Sequence, residues 1–166
     1  MARVLIVGGR GRGRALAGAL LEAGHAVRVV LEPDATDAPL PDGAEPFAGD
    51  ANRIGTLKSA LAQVTIACWL FGCVADGAED AAALHGTRLE RFLEQTLDSS
   101  VRGLVYEAAG SVDEKTLAAG RATLERFATF NAIPFALLTA DPAERGPWLQ
   151  CALEAVAQIL GRYSSH

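Results

Sequence analysis

Residues 7–16, VGGRGRGRAL, set four glycines (Gly8, Gly9, Gly11, Gly13) among three arginines (Arg10, Arg12, Arg14) directly after a short apolar run. Glycines at this density let a chain turn sharply with no side chain in the way, so that backbone N–H groups can approach an anion. Arginines add charge-assisted hydrogen bonds to the same kind of group. The chemistry implied is phosphate binding. No Lys-Ser/Thr pair follows the glycines, which argues against the phosphate loop of a nucleoside triphosphatase. Glu32 lies 19 residues past Gly13. That is close to the ~20-residue spacing at which a carboxylate meets a ribose 2′-hydroxyl in dinucleotide-binding units.

Other candidate groups are sparse. His25, His85 and His166 are far apart, and Cys68, Cys73 and Cys151 form no CxxC pair, so no metal site is expected. Cys68 lies in an apolar run and reads as a small core residue. Glu107 interrupts the apolar stretch RGLVYEAA. A carboxylate there is costly to bury unless paired, so it either faces solvent at an edge or has work near a cofactor. Ser111 is the one hydroxyl in the loop that follows, and reads as either a helix cap or a weak catalytic candidate. Tyr106 reads as a core aromatic. Asp113 and Glu114 read as charges at a helix start, where the helix dipole favours them.

These residues need a scaffold. RVLIV (3–7) predicts a buried strand, and apolar spacing at Leu16, Leu20 and Ala23 predicts a helix over 13–23 that Gly24 stops. Strand two is expected at 25–31, a proline-rich surface connection at 33–46, a short third strand near 46–50 and a helix at 53–62. Strand four is expected at 64–72, apolar throughout because both of its faces are covered. A single long helix follows at 79–99, with Leu84, Leu89, Phe92, Leu93 and Leu97 toward the core. Strand five at 102–109, a helix at 114–131, strand six over FALLTA and a helix at 147–162 complete the chain. Strict alternation of strand and helix predicts a parallel sheet with right-handed crossovers. The expected fold is one doubly wound Rossmann domain over 1–166, of class α/β, with six parallel strands in the order 3-2-1-4-5-6 and helices on both faces. In that frame the glycine loop sits between a first strand and a first helix, the context that gives such a motif meaning.

The chain has 166 residues, half of them apolar and 21% charged, with a net charge of −5. This composition suits one folded domain and disfavours a nucleic-acid partner. No stretch approaches the ~18 apolar residues that span a bilayer, so no membrane partner is expected. An odd cysteine count fits a reducing cytoplasm.

Several stretches resemble the short-chain dehydrogenase/reductase superfamily, in particular its extended and atypical branches, which include NAD-dependent epimerase/dehydratase and NmrA-like proteins. Gly8 and Gly11 match the first two glycines of the family's T-G-x-x-G-x-x-G loop, while Arg14 stands at the third and Gly13 is one residue early. AGD (48–50) resembles the family's Gly-Asp after strand three, which implies an adenine contact for Asp50, beside Ala51. CWLFG (68–72) resembles the end of strand four that lies along the cofactor, which implies contacts from Leu70, Phe71 and Gly72. HGTRLERFLEQTLDSSVRGLVYEAAGSV (85–112) resembles the N-x-x-G-T…V-Y-x-S-S segment. The resemblance implies a dinucleotide held by Gly8, Gly9, Arg10, Gly11, Arg12 and Gly13. Glu32 favours NAD, whereas Arg10 and Arg12 keep NADP open through a 2′-phosphate. The family's Tyr-x-x-x-Lys pair is missing, because Leu117 and Arg121 stand at its positions. The extended members' substrate domain after strand six is likewise not expected here. Two readings therefore stand: a minimal oxidoreductase acting on an unknown small molecule, and a non-catalytic dinucleotide sensor of NmrA type. The helices at 79–99 and 114–131 match those that pair in family dimers, which implies a homodimer.

Overall fold

A computed structural model describes residues 2–32, 39–74 and 78–164. The elements are β1 (Arg3–Gly8), α1 (Arg10–Glu22), β2 (Ala26–Leu31), β3 (Glu45–Ala48), β4 (Ile66–Leu70), α2 (Ala78–Leu84), α3 (Thr87–Leu97), β5 (Gly103–Glu107), α4 (Glu114–Phe130), β6 (Phe135–Leu138) and α5 (Arg145–Ser164). The strands form one sheet in the order β3-β2-β1-β4-β5-β6, and every neighbouring pair is parallel. The doubly wound α/β architecture expected from the sequence is thus the one observed.

Alternation along the strands decides which residue faces which layer. On β1, Val4 and Ile6 join Leu16, Leu20, Trp148 and Val156 on the face covered by α1 and α5. Leu5 and Val7 join Leu57, Phe92 and Leu124 on the opposite face. The same parity runs through β4, with Cys68 and Leu70 on the first face and Trp69 and Phe71 on the second. Cys68 is fully buried, and burial pushes its thiol up to about 12.

Two expected helices are not built as expected. The stretch at 53–62 forms two short 3₁₀ turns, Ile54–Leu57 and Ser59–Leu61, which still bury Ile54, Leu57 and Leu61. Here the carbonyls of Ala60 and Ala62 turn to the buried Arg28 guanidinium, at 2.6 and 2.9 Å, instead of running along a helix axis. The single helix at 79–99 is broken into α2 and α3 at His85–Gly86. Trp69 Nε1, on β4, donates to the Leu84 carbonyl, a group that a continuous helix would have used, and the His85 side chain turns inward to donate from Nε2 to the Phe71 carbonyl. Leu84, Leu89, Phe92 and Leu93 are buried, but Leu97, expected in the core, is 50% exposed at the end of α3. Helix α1 starts earlier than expected, which puts Gly11 and Gly13 inside its first turn. Gly24 does stop it, at φ +92. Much of the connection read at 33–46 (residues 33–38) lies outside the described residues.

Candidate functional site at the carboxyl ends of the strands

In a parallel sheet of this order, the strand order reverses between β1 and β4, and the loops after the strands open a crevice there. The glycine–arginine loop fills that position. Gly8, Gly9 and Arg10 all take left-handed backbone conformations, at φ +84, +82 and +48. Glycine adopts this region without strain, and Arg10 is one of three non-glycine residues at positive φ among those described. A Cβ on Gly8 would stand 2.5 Å from the Leu70 carbonyl oxygen, and one on Gly13 would stand 2.8 Å from the Gly8 carbonyl oxygen. Gly8 therefore lets β1 turn against β4, and Gly13 lets α1 pack onto the turn. Their five-residue separation is that of the first and last glycines in G-x-G-x-x-G. Gly13, which looked one residue early in the sequence, thus makes the close helix–strand contact, and Arg10 stands at the middle position. No side chain caps the start of α1, and its first turn holds no acid. The loop is a cradle whose free N–H groups fit a phosphate.

Arg12 and Glu107 are joined across the crevice floor. The guanidinium donates from Nη2 to Oε1 at 2.6 Å and from Nε to Oε2 at 2.8 Å. The same carboxylate accepts the Gly72 N–H at 2.7 Å and Trp148 Nε1 at 2.9 Å, and it is completely buried. All of its roughly four acceptor sites are thus used, and Glu107 has no free lone pair for proton abstraction. Burial works against the Arg12 charge, but the hydrogen bonds and charge of Glu107 outweigh it and raise the guanidinium above its usual range. This overturns one sequence expectation: Arg12 is held on the β5 side by a buried counter-charge and is not free to meet a 2′-phosphate near Glu32. The parity of β5 puts Glu107 on the α1/α5 face with Val105 and opposite Tyr106. That parity was the available signal for the pairing.

Glu32 directly follows β2 and is half-buried. The carboxylate of Asp50 accepts the Asn52 N–H at 2.8 Å. Ala51, Leu70 and Phe71 are buried, at 1%, 0% and 7% exposure, and the Phe71 ring packs under Gly8. Gly72 is in the tightest place: a Cβ there would lie 2.0 Å from the Ala109 carbonyl oxygen, and one on Gly110 would lie 2.1 Å from the Gly72 carbonyl oxygen. Ser111 is exposed in the loop, and Asp113 rather than Ser111 takes the cap position of α4, without a side-chain hydrogen bond. Leu117 is buried at 3%, inside the fold.

A cleft of about 370 Å³ adjoins the loop, with walls from Gly9–Arg12, Cys73, Gly110–Ser111 and the segment after β6 that includes Asp141 and Arg145. The sequence reading missed one buried polar pair behind it. His85 Nε2 lies 2.6 Å from the Phe71 carbonyl and Nδ1 lies 2.6 Å from the Tyr106 hydroxyl. A carbonyl only accepts, so Nε2 carries the proton and the Tyr106 hydroxyl donates to Nδ1. Burial lowers the His85 pKa and raises that of Tyr106. His25 Nδ1 accepts the Ala2 N–H at 3.3 Å, a structural role. No group of three or more potential metal ligands occurs among the described residues.

No family model matches the chain, and comparison with curated proteins finds no match. Solved structures do match. A short-chain alcohol dehydrogenase from Burkholderia multivorans, itself putative by its description, aligns over 90% of this chain and 87% of its own, at TM-score 0.67 and 17% identity. An epimerase from Methanothermobacter thermautotrophicus aligns over 82% of this chain at TM-score 0.68 and 20% identity. The enzyme WbmG of Bordetella bronchiseptica, in complex with NAD, aligns over 82% at TM-score 0.63 and 19% identity. The chain spans only about half the length of the last two, 50% and 52%. The fold is that of short-chain dehydrogenase/reductase and epimerase structures, as the sequence motifs implied.

Proposed function

We propose that this chain is an NAD(P)-binding Rossmann protein that seats the pyrophosphate of a dinucleotide on the glycine loop. The observation that carries the reading is the uncapped start of α1, reached through left-handed Gly8, Gly9 and Arg10. In this reading the adenosine half lies toward Glu32, Asp50 and Ala51, and the other half toward Leu70–Gly72. NAD is preferred over NADP, because Glu32 repels a 2′-phosphate and Arg12 is committed to Glu107. The fold shared with NAD-bound WbmG supports the class of ligand.

Catalysis is a separate matter. A minimal oxidoreductase is supported by the open cleft beside the loop. A non-catalytic dinucleotide sensor is supported by the side chains: Leu117 is buried at the position of the family's tyrosine, and the Glu107 carboxylate is saturated. Hydride transfer from NADH or NADPH to a panel of quinones, flavins and aldehydes separates the two. Turnover well above a Gly11→Arg control establishes the enzyme and removes the sensor reading. A Cβ on Gly11 meets only Arg145 Nη2, at 3.6 Å, and a thermal melt of the control checks that it is folded.

We also propose a homodimer through α3 and α4. Phe130 is 89% exposed beside a groove formed by Leu93 and Phe127, with Glu90, Glu94 and Arg126 at its rim. Acids on α3 and an arginine on α4 complement each other across a two-fold axis. Light scattering at micromolar concentration tests it: a monomer mass refutes the dimer, and a dimer that Phe130→Asp dissociates supports it.

A further inference from the structure

Resting on the reading of the glycine loop as the seat of a pyrophosphate, we propose that His85, buried behind the crevice and outside it, is a positioning residue for that seat. Together with Glu107 it fixes one peptide unit, between Phe71 and Gly72, on which the loop rests. The two polar atoms of this peptide are held from opposite faces of the sheet. Its carbonyl, on Phe71, accepts from His85 Nε2 at 2.6 Å. Its N–H, on Gly72, donates to Glu107 Oε1 at 2.7 Å. His85 stands with Tyr106 on the α3/α4 face, and Glu107 stands with Trp148 on the α1/α5 face. A trans peptide points its C=O and N–H in opposite directions, so one unit turned across the sheet meets both partners. β4 ends at Leu70, which frees this peptide from the strand ladder. The Phe71 carbonyl has no other hydrogen-bond donor among the described residues.

Two routes lead from this peptide to the loop. Glu107 Oε1 also accepts Arg12 Nη2 at 2.6 Å, and Arg12 Nη1 donates to the Gly9 carbonyl at 3.2 Å. Gly9 is the residue from which α1 begins. The second route is steric, since the Phe71 ring lies 2.8 Å from the place of a Gly8 Cβ. A peptide held by Glu107 alone can swing about that one bond, and the bond from His85 at its other end removes the freedom. Ligand geometry depends on such supporting bonds behind the groups that line a site. The His85 ring is held in turn: the Tyr106 hydroxyl donates to Nδ1 at 2.6 Å, and Gly120 leaves room, since a Cβ there would stand 3.1 Å from His85 Cβ. A neutral imidazole carries a donor and an acceptor on one rigid ring, which is what bridging a hydroxyl and a carbonyl requires.

The test compares His85→Leu, which has no donor for the Phe71 carbonyl, with His85→Gln, whose amide N–H can supply one. Leu61→Ala, a buried truncation in the 3₁₀ turn before β4, controls for lost stability, ranked by thermal melts. Affinities for NAD, NADH, NADP and NADPH are read by calorimetry. The NMR resonances of the Gly72 amide and the Arg12 Nε–H are read on the ligand-free protein. His85→Leu is expected to weaken the preferred dinucleotide about tenfold or more and His85→Gln about threefold or less, with Leu61→Ala unchanged. Both resonances should move in His85→Leu and stay in Leu61→Ala. A folded His85→Leu with wild-type affinity overturns the proposal, as do unmoved resonances or an equal loss of affinity in Leu61→Ala. If His85→Leu does not fold, Tyr106→Phe replaces it, because it releases the ring at Nδ1: moved resonances with a loss of about threefold support the proposal, and wild-type behaviour overturns it. If no dinucleotide binds the wild type, the glycine-loop reading fails by itself. The resonances then decide alone: moved in His85→Leu, they uphold His85 as the residue that positions the loop, and unmoved, they overturn it.

Discussion

Arg12, from the first turn of α1, and Glu107, the last residue of β5, form a two-pronged ion pair at 2.6 and 2.8 Å, with the indole of Trp148 donating to the same carboxylate. Removing one partner leaves the other charge buried. Glu107→Ala is expected to destabilise the fold by about 3–5 kcal/mol, and Arg12→Met by a similar amount. The double variant Arg12→Met/Glu107→Leu should recover part of the loss, because neither charge is then stranded, although the Gly72 N–H and Trp148 Nε1 lose their acceptor. Urea unfolding of the four proteins checks this, and strictly additive single effects would contradict it.

A second prediction concerns His85. Its pKa is lowered by burial, so the folded state holds fewer protons than the unfolded one as the pH falls. The stability that comes from neutral His85 is fully present above its unfolded pKa of about 6.5, and is lost as the pH falls from there toward the folded value. His25 is lowered in the same direction and adds to the slope. The difference between wild type and His85→Gln isolates the buried ring. Wild-type stability should fall more steeply between about pH 7 and 5 than that of the variant, measured by denaturant midpoint.

Gly120 tests the same pair from the other side. A Cβ there would lie 2.1 Å from the Tyr106 hydroxyl oxygen. Gly120→Ala should therefore destabilise by about 1–3 kcal/mol through overpacking, despite the higher helix propensity of alanine. Adding Tyr106→Phe removes the clashing oxygen and should relieve part of that cost. Thermal melts of the two singles and the double decide it.

For ligand preference, NAD is expected to bind about tenfold or more tightly than NADP, the equivalent of one unfavourable carboxylate–phosphate contact. Glu32→Ala should narrow the ratio, while Arg10→Ala should weaken both dinucleotides alike. Calorimetry with NAD, NADH, NADP and NADPH checks both. An intact ratio in Glu32→Ala would separate Glu32 from the ribose.

The strand–helix alternation and the sheet order were legible because apolar β-branched runs such as RVLIV and VTIACWL can be buried on both faces only in a covered parallel sheet. The glycine loop was legible for the same reason, since it falls between the first strand and the first helix. The break at His85–Gly86 was hidden: the apolar residues Leu84, Leu89, Phe92 and Leu93 read as one amphipathic helix, and the capture of the Leu84 carbonyl by Trp69 and the inward turn of His85 interrupt it. The partner of Glu107 was hidden too. Arg12 lies 95 residues away, and its loop position suggested a ligand rather than a buried acid. Long-range polar pairing leaves no local periodicity, so it had to be read from the fold.

The backbone contact between Gly72 and Gly110 bears on how the cleft can open. The Val112 N–H holds the Gly72 carbonyl at 3.0 Å, and no methyl group fits between the two turns. The turn at Gly72 after β4 and the turn at Gly110–Val112 after β5 are therefore tied into one doorpost. The segment from Asp141 to Arg145 stands as the opposite jamb, and a glycine-to-alanine change at the doorpost would spring the frame rather than stiffen it.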